Sequence, residues 1–149
     1  MSIERLWAMP NHETFKIPCI KQLIAQELGE FYTDVFPYPY DKDGLEMLKG
    51  KKSNSIENLA FDPVYSLRQL KEMYNNKGNS LTHHETKYYW KDLRDQIARV
   101  LKVGGKTISF GWNSIGIGKK RGFEITKILI VCHGGHHNDT ICTVERKIY

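Results

Sequence analysis

Residues 59–66, Leu-Ala-Phe-Asp-Pro-Val-Tyr-Ser, constrain the fold more than any other stretch of the chain. Leu59 to Phe61 reads as a buried strand, Asp62-Pro63 ends it, and helical spacing resumes from Leu67 to near Asn75. Asp and Pro both favour turns, so a strand end is predicted at Asp62. A strand, a sharp turn and a helix in succession belong to an open α/β sheet, whose ligands bind at the rim formed by the carboxyl ends of the strands. At such a rim Asp62 and the Pro63 carbonyl can accept hydrogen bonds from an amino group, and Tyr65 can stack on a flat ring. A base turned out of its helix is held in this way.

The rest of the chain supplies the sheet. Residues 2–16, broken by Pro10, read as irregular. Pro18 can open a helix in which Ile20, Leu23, Ile24 and Leu28 recur at helical spacing until Gly29 stops it. Phe31–Phe36 reads as a short strand and Leu45–Lys49 as a short helix, with a polar connection from Gly50 to Asn58. A longer helix is expected from Lys87 to Lys102, stopped by Gly104-Gly105. Strands are expected at Thr107–Trp112, Ile125–Cys132 and Thr140–Ile148, the last two joined by a glycine- and histidine-rich turn. The 149 residues are expected to form one domain, close to the minimum for a cofactor-binding sheet.

Charge and cysteine content narrow the function classes. The net charge of +5 suits a polyanionic partner, because phosphate contacts supply most non-specific nucleic-acid affinity. No apolar run approaches the roughly 18–20 residues of a membrane span, and the N-terminus carries charges in place of a signal-peptide core. Three cysteines without paired spacing suit a reducing compartment, so the cytoplasm is the expected location.

The Asp62-Pro-Val-Tyr65 run resembles the Asp-Pro-Pro-Tyr box of DNA adenine-N6 methyltransferases. Other stretches resemble the small phage-borne members of that group: Arg5-Leu-Trp-Ala-Met-Pro10, Phe110-Gly-Trp-Asn-Ser114, Gly118-Lys-Lys, Gly122-Phe-Glu-Ile125, His133-Gly-Gly, and His137 through Lys147. The resemblance implies a reduced Rossmann-like methyltransferase sheet, mostly parallel, closed by a C-terminal antiparallel hairpin whose turn shares the rim of Asp62. It implies S-adenosyl-L-methionine as cofactor and DNA as substrate, with RNA as an alternative. Asp62 and the Pro63 carbonyl would hold the adenine amine, and Tyr65 would stack on the base. Val64 stands where the family has a second proline, so the Pro63 carbonyl is less firmly aimed, since only proline locks φ.

The family's Asp-Pro-Phe loop, which cradles the methionine part of the cofactor, is matched here by Thr33-Asp34-Val35-Phe36, without the proline. Relatives continue through a second strand whose acidic end binds the ribose. Here about 15–20 residues, the length of a strand with its connection, are absent after Phe36. Asp41 or Asp43 could take the ribose or the adenine amine, or be a solvated loop acid. Phe15 matches the segment that closes over the cofactor, or with Ile17 staples the first helix.

Asn113 and Ser114 follow a strand and are expected at the same rim, within reach of a flipped base. Lys119, Lys120 and Arg121, set among glycines, form a basic loop suited to phosphate. His136 and His137 are expected to face DNA. With no second ligand pair beside them, no metal is expected. Two function classes follow: an adenine methyltransferase of a phage or prophage, or a methyltransferase-derived protein without turnover that binds nucleic acid or a host defence protein. A homodimer could supply cofactor contacts in trans.

Overall fold

The computed structural model describes residues 1–38, 43–63 and 83–149. Six strands form one sheet: β1 (Ser2–Trp7), β2 (Thr33–Asp34), β3 (Ile56–Phe61), β4 (Leu101–Gly111), β5 (Phe123–Cys132) and β6 (Thr140–Lys147). Three α-helices accompany them: α1 (Pro18–Glu27), α2 (Gly44–Lys49) and α3 (His83–Val100). The strand order is β1-β5-β6-β4-β3-β2. β1 lies parallel to β5, and β2, β3 and β4 are parallel neighbours, while β6 runs antiparallel between β4 and β5. The expected mostly parallel sheet with a closing antiparallel hairpin is therefore present.

Two apolar layers cover the sheet. Ile20, Leu23 and Ile24 of α1 pack on Ala60, Ile108, Phe110, Leu129, Cys142 and Val144. Leu48 of α2 and Tyr89, Leu93 and Ile97 of α3 pack on Leu59, Phe61 and Leu101 from the other side. The split follows from β3 itself, whose successive side chains alternate between faces: Leu59 and Phe61 go to one layer and Ala60 to the other. Pro18 sits in the first turn of α1, where its missing N–H costs nothing.

The structure corrects five boundaries, the first being the start of β3, which lies at Ile56 inside the expected Gly50–Asn58 connection. Residues 2–7 are not irregular: they form edge strand β1, exposed along its length, whose Ile3, Leu6 and Trp7 follow no two-residue alternation. β2 is confined to Thr33–Asp34. α3 begins at His83, four residues before the expected start, and ends at Val100. Gly104-Gly105 does not stop it; β4 starts at Leu101 and contains both glycines. Between the Ile56–Leu101 and Asn58–Lys106 pairs β4 carries extra residues. Gly104 supplies a φ of +84° there, and a Cβ on Gly105 would lie 2.6 Å from the Glu57 carbonyl. The expected helix from Leu67 to Asn75 lies outside the described residues.

Candidate active site

β1 to β5 all run in one direction, so their carboxyl ends share a rim, and β6 starts from it. Asp62 leaves β3 at this rim, inside the sheet between β2 and β4, and is 6% exposed. One residue past the Phe61–Ser109 pair, it shares a row with Phe110, which is paired in turn with Cys142 of β6. Asp62 lies close enough to Cys142 to raise that thiol's pKa, after burial, the larger cause, and the influence of Cys19. Both cysteines pack on the α1 side, so Asp62 belongs to that face.

Phe15 comes to the same place from the short 3-10 turn at Thr14–Lys16. Its ring lies 5.1 Å from that of Phe110 and 6.3 Å from that of Tyr32, the latter edge-on. Phe15 stays half-buried, whereas its neighbour Ile17 is buried in the core.

Asp34 ends β2 opposite Ala60, two positions short of Asp62 on the adjacent strand. Strand spacing and rise then put the two Cα atoms on the order of 8 Å apart. The Asp34 Oδ1 accepts a hydrogen bond from the Phe36 amide at 3.2 Å. Burial raises its carboxyl above the ordinary value, only partly offset by that amide, and no cation contributes. A half-buried carboxylate near Tyr32 and without a cation suits a small positively charged group.

Other predicted residues fall elsewhere. Phe36 is 3% exposed and packs 6.3 Å from Phe61, in the layer under α2 and α3. Asp43 caps α2, its Oδ1 accepting from the Glu46 amide at 3.2 Å. Among the described residues no strand pairs with the outer edge of β2. Tyr38 is exposed; Tyr40 and Asp41 lie outside the described residues, as do Val64 and Tyr65.

Asn113 and Ser114 follow β4 onto the rim and are exposed, with Asn113 Oδ1 accepting from the Ile115 amide at 3.0 Å. His136 and His137 are exposed in the β5–β6 turn on the same rim. Lys119–Arg121 form a 3-10 turn just before β5 begins, and thus sit at the opposite rim. Arg121 is engaged there: Nε pairs with Asp95 at 2.8 Å and Nη1 donates to the Ile117 carbonyl at 3.1 Å. Among the described residues no three His, Cys, Asp or Glu side chains gather as a metal-binding group. No described helix is long and apolar enough to cross a membrane.

Three buried polar residues hold the frame: His133, from the expected glycine- and histidine-rich turn, and Glu145 and Lys147, which the sequence did not single out. His133 Nδ1 donates to the Ala8 carbonyl at 2.9 Å, which leaves Nε2 to accept from the Thr140 hydroxyl at 2.8 Å, so β1 is clamped to the rim. Glu145, fully buried, accepts from the amides of Ile117 at 2.7 Å and Gly118 at 3.0 Å, anchoring the loop from β4 to β5. Lys147 Nζ donates to the carbonyls of Ala98 at 2.6 Å and Leu101 at 2.7 Å at the end of α3. The available signal was position: polar side chains on the strand that closes a hairpin and is flanked on both edges have little access to water.

No family model matches the chain, and neither does any curated protein. Among solved structures the fold is similar to TTHA0409 of Thermus thermophilus, named as a candidate DNA modification methylase, at 12% identity and a TM-score of 0.48, over 98% of this chain and 55% of that one. It is similar to TrmN from Thermus thermophilus at 14% identity and a TM-score of 0.48, over 99% of this chain and 44% of that one. PH0851 matches at 11% identity and a TM-score of 0.49, over 98% of this chain and 42% of that one. The chain thus spans about half the length of these proteins. These are likenesses of backbone course, and the chemistry of this chain rests on its own residues.

Proposed function

We propose that the chain is an S-adenosylmethionine-dependent methyltransferase acting on the exocyclic amine of adenine in DNA. The observation that carries the reading is a buried carboxylate, Asp62, where β3 leaves the sheet and meets Pro63, with Phe15, Phe110 and Asp34 on the same face. Asp62 accepts a hydrogen bond from the amine and the Pro63 carbonyl accepts another, which draws the nitrogen lone pair out of conjugation. The cofactor, when bound, supplies an electrophilic methyl on a sulfonium. Asp34 faces its positive charge, and the Phe15 ring closes over it. The contribution of these residues is mainly alignment of the amine with the methyl. Asn113, Ser114, His136 and His137 line the approach to the base.

One observation favours a second reading, a methyltransferase-derived binding protein without turnover. The described sheet ends at β2, and Asp43 spends one carboxylate oxygen on capping α2. Among the described residues the ribose end of the cofactor is then less well provided than the methionine end. Loss of one charged hydrogen bond there weakens binding by roughly ten- to a hundred-fold. Calorimetric titration with S-adenosylmethionine separates the two readings. Saturable one-to-one binding that is weakened in Asp34→Asn supports the enzyme; no heat at millimolar cofactor supports the binding protein.

A further inference from the structure

The two rims of the sheet carry opposite charge among the described residues. The Asp62 rim and its loops hold Asp34, Asp43, Asp62 and Asp139. The nearby cations are themselves engaged: Lys16 pairs with Glu13 at 2.9 Å, and Arg5 donates to Cys132 Sγ at 2.9 Å with Asp139 close by. Among the described residues, this rim therefore offers a polyanion more carboxylates than unengaged lysine or arginine side chains.

The opposite rim is built differently. Lys51 and Lys52 lie exposed on the loop that leads into β3, and Lys119 and Lys120 lie exposed on the turn that leads into β5. Both segments are tied to the end of β6. Lys147 Nζ reaches Asn54 Oδ1 at 3.4 Å, and the Ile148 amide donates to the Gly122 carbonyl at 2.7 Å. The same end of β6 therefore anchors two lysine pairs on backbone that does not need refolding to present them. Lys49, Lys102 and Arg121 on this side have acidic partners in Glu46, Glu57 and Asp95, whereas none of the four loop lysines makes a salt bridge within the described residues. The exposed acids on this side include Glu46 and Glu57, paired with Lys49 and Lys102, together with Glu124 and Glu30.

We infer that this far rim is a second site, a docking face for the phosphodiester backbone of nucleic acid, separate from the Asp62 rim. It rests on the proposed function only for the choice of nucleic acid among phosphate polyanions. A strand held there stands about one strand length, roughly 20 Å, from Asp62. The far rim therefore tethers the polymer without reading the base at the reacting end.

The test is anisotropy of a labelled single-stranded oligonucleotide across a salt series, with inorganic polyphosphate as competitor. Replacing Lys51, Lys52, Lys119 and Lys120 by glutamine is expected to reduce the log–log salt slope by up to about 2.8, near 0.7 per phosphate contact on a single strand. Circular dichroism and unchanged cofactor titration would show that the variant is folded and its other rim intact. Lys16→Gln, on the other rim, is expected to bind the oligonucleotide as the parent does. An unchanged slope in the quadruple lysine variant overturns the inference, as does loss of oligonucleotide binding in Lys16→Gln. Equal affinity for polyphosphate of matched charge would overturn the choice of nucleic acid.

Discussion

Burial raises the Asp34 carboxyl above its ordinary value, while the Phe36 amide, donating to Oδ1, draws it part of the way back. With the folded value above the unfolded one, the folded chain holds the extra proton through that window. Its contribution to stability is therefore largest in acid and falls as pH rises past the ordinary aspartate value. A cationic ligand needs the ionised form, so its affinity rises over the same window. Asp34→Asn keeps an acceptor for Phe36 and removes the buried charge. It is expected to hold or raise Tm while weakening S-adenosylmethionine about ten- to a hundred-fold. Thermal unfolding and calorimetry between about pH 4 and 7 check both slopes, which should flatten in the variant. Lys147 makes the contrasting case. Lys147→Met keeps much of the stem but leaves the Ala98 and Leu101 carbonyls without their charged donor. A loss of about 2–4 kcal/mol in denaturant unfolding is expected.

Elements that packing alone specifies were legible in the sequence, and those that depend on a neighbour were not. α1 could be placed because Ile20, Leu23 and Ile24 face one layer and Pro18 opens the helix. β3 and β5 could be placed because they contain apolar runs ended by turns, and β6 because β-branched residues resume after the glycine- and histidine-rich turn. β1 could not, because all six of its residues are exposed and it exists through pairing with β5 and the His133 clamp at Ala8. The start of β4 was hidden by glycines that read as a stop and serve a bulge. The position of Asp62 at a strand end was legible from the strand–turn pattern. The assignment of Phe36 to the cofactor was not secure, because a phenylalanine just past a strand end can turn to either face, and here it joins the core. Gly44 shows how closely α2 is set against that strand end. A Cβ there would lie 2.7 Å from Val35 Cγ1 and 2.8 Å from Phe36 Cε1. Gly44→Ala is therefore expected to cost about 1–3 kcal/mol, read as a lowered Tm, by pushing α2 off the end of β2.

At the scale of the whole molecule, one direction of the sheet orders the chemistry. Four strands, β2 to β5, deliver Asp34, Asp62, Asn113 and the histidine turn to one rim, and the returning strand β6 carries Glu145 and Lys147 away to brace the other. Net charge indicated a polyanionic partner but not where it would dock, because a sum over the chain holds no geometry. On the proposed reading, the separation of an acidic, aromatic rim from a basic one assigns each its own partner: a cationic cofactor beside Asp62 and a phosphate backbone at the far end. The most direct test of the account is transfer of a labelled methyl group from S-adenosylmethionine to DNA, followed by nucleoside analysis. The parent protein is expected to yield N6-methyladenine, and Asp62→Ala to yield none while still binding cofactor and DNA. Label on another base, or undiminished N6-methyladenine from Asp62→Ala, would contradict the assignment of Asp62 to the amine.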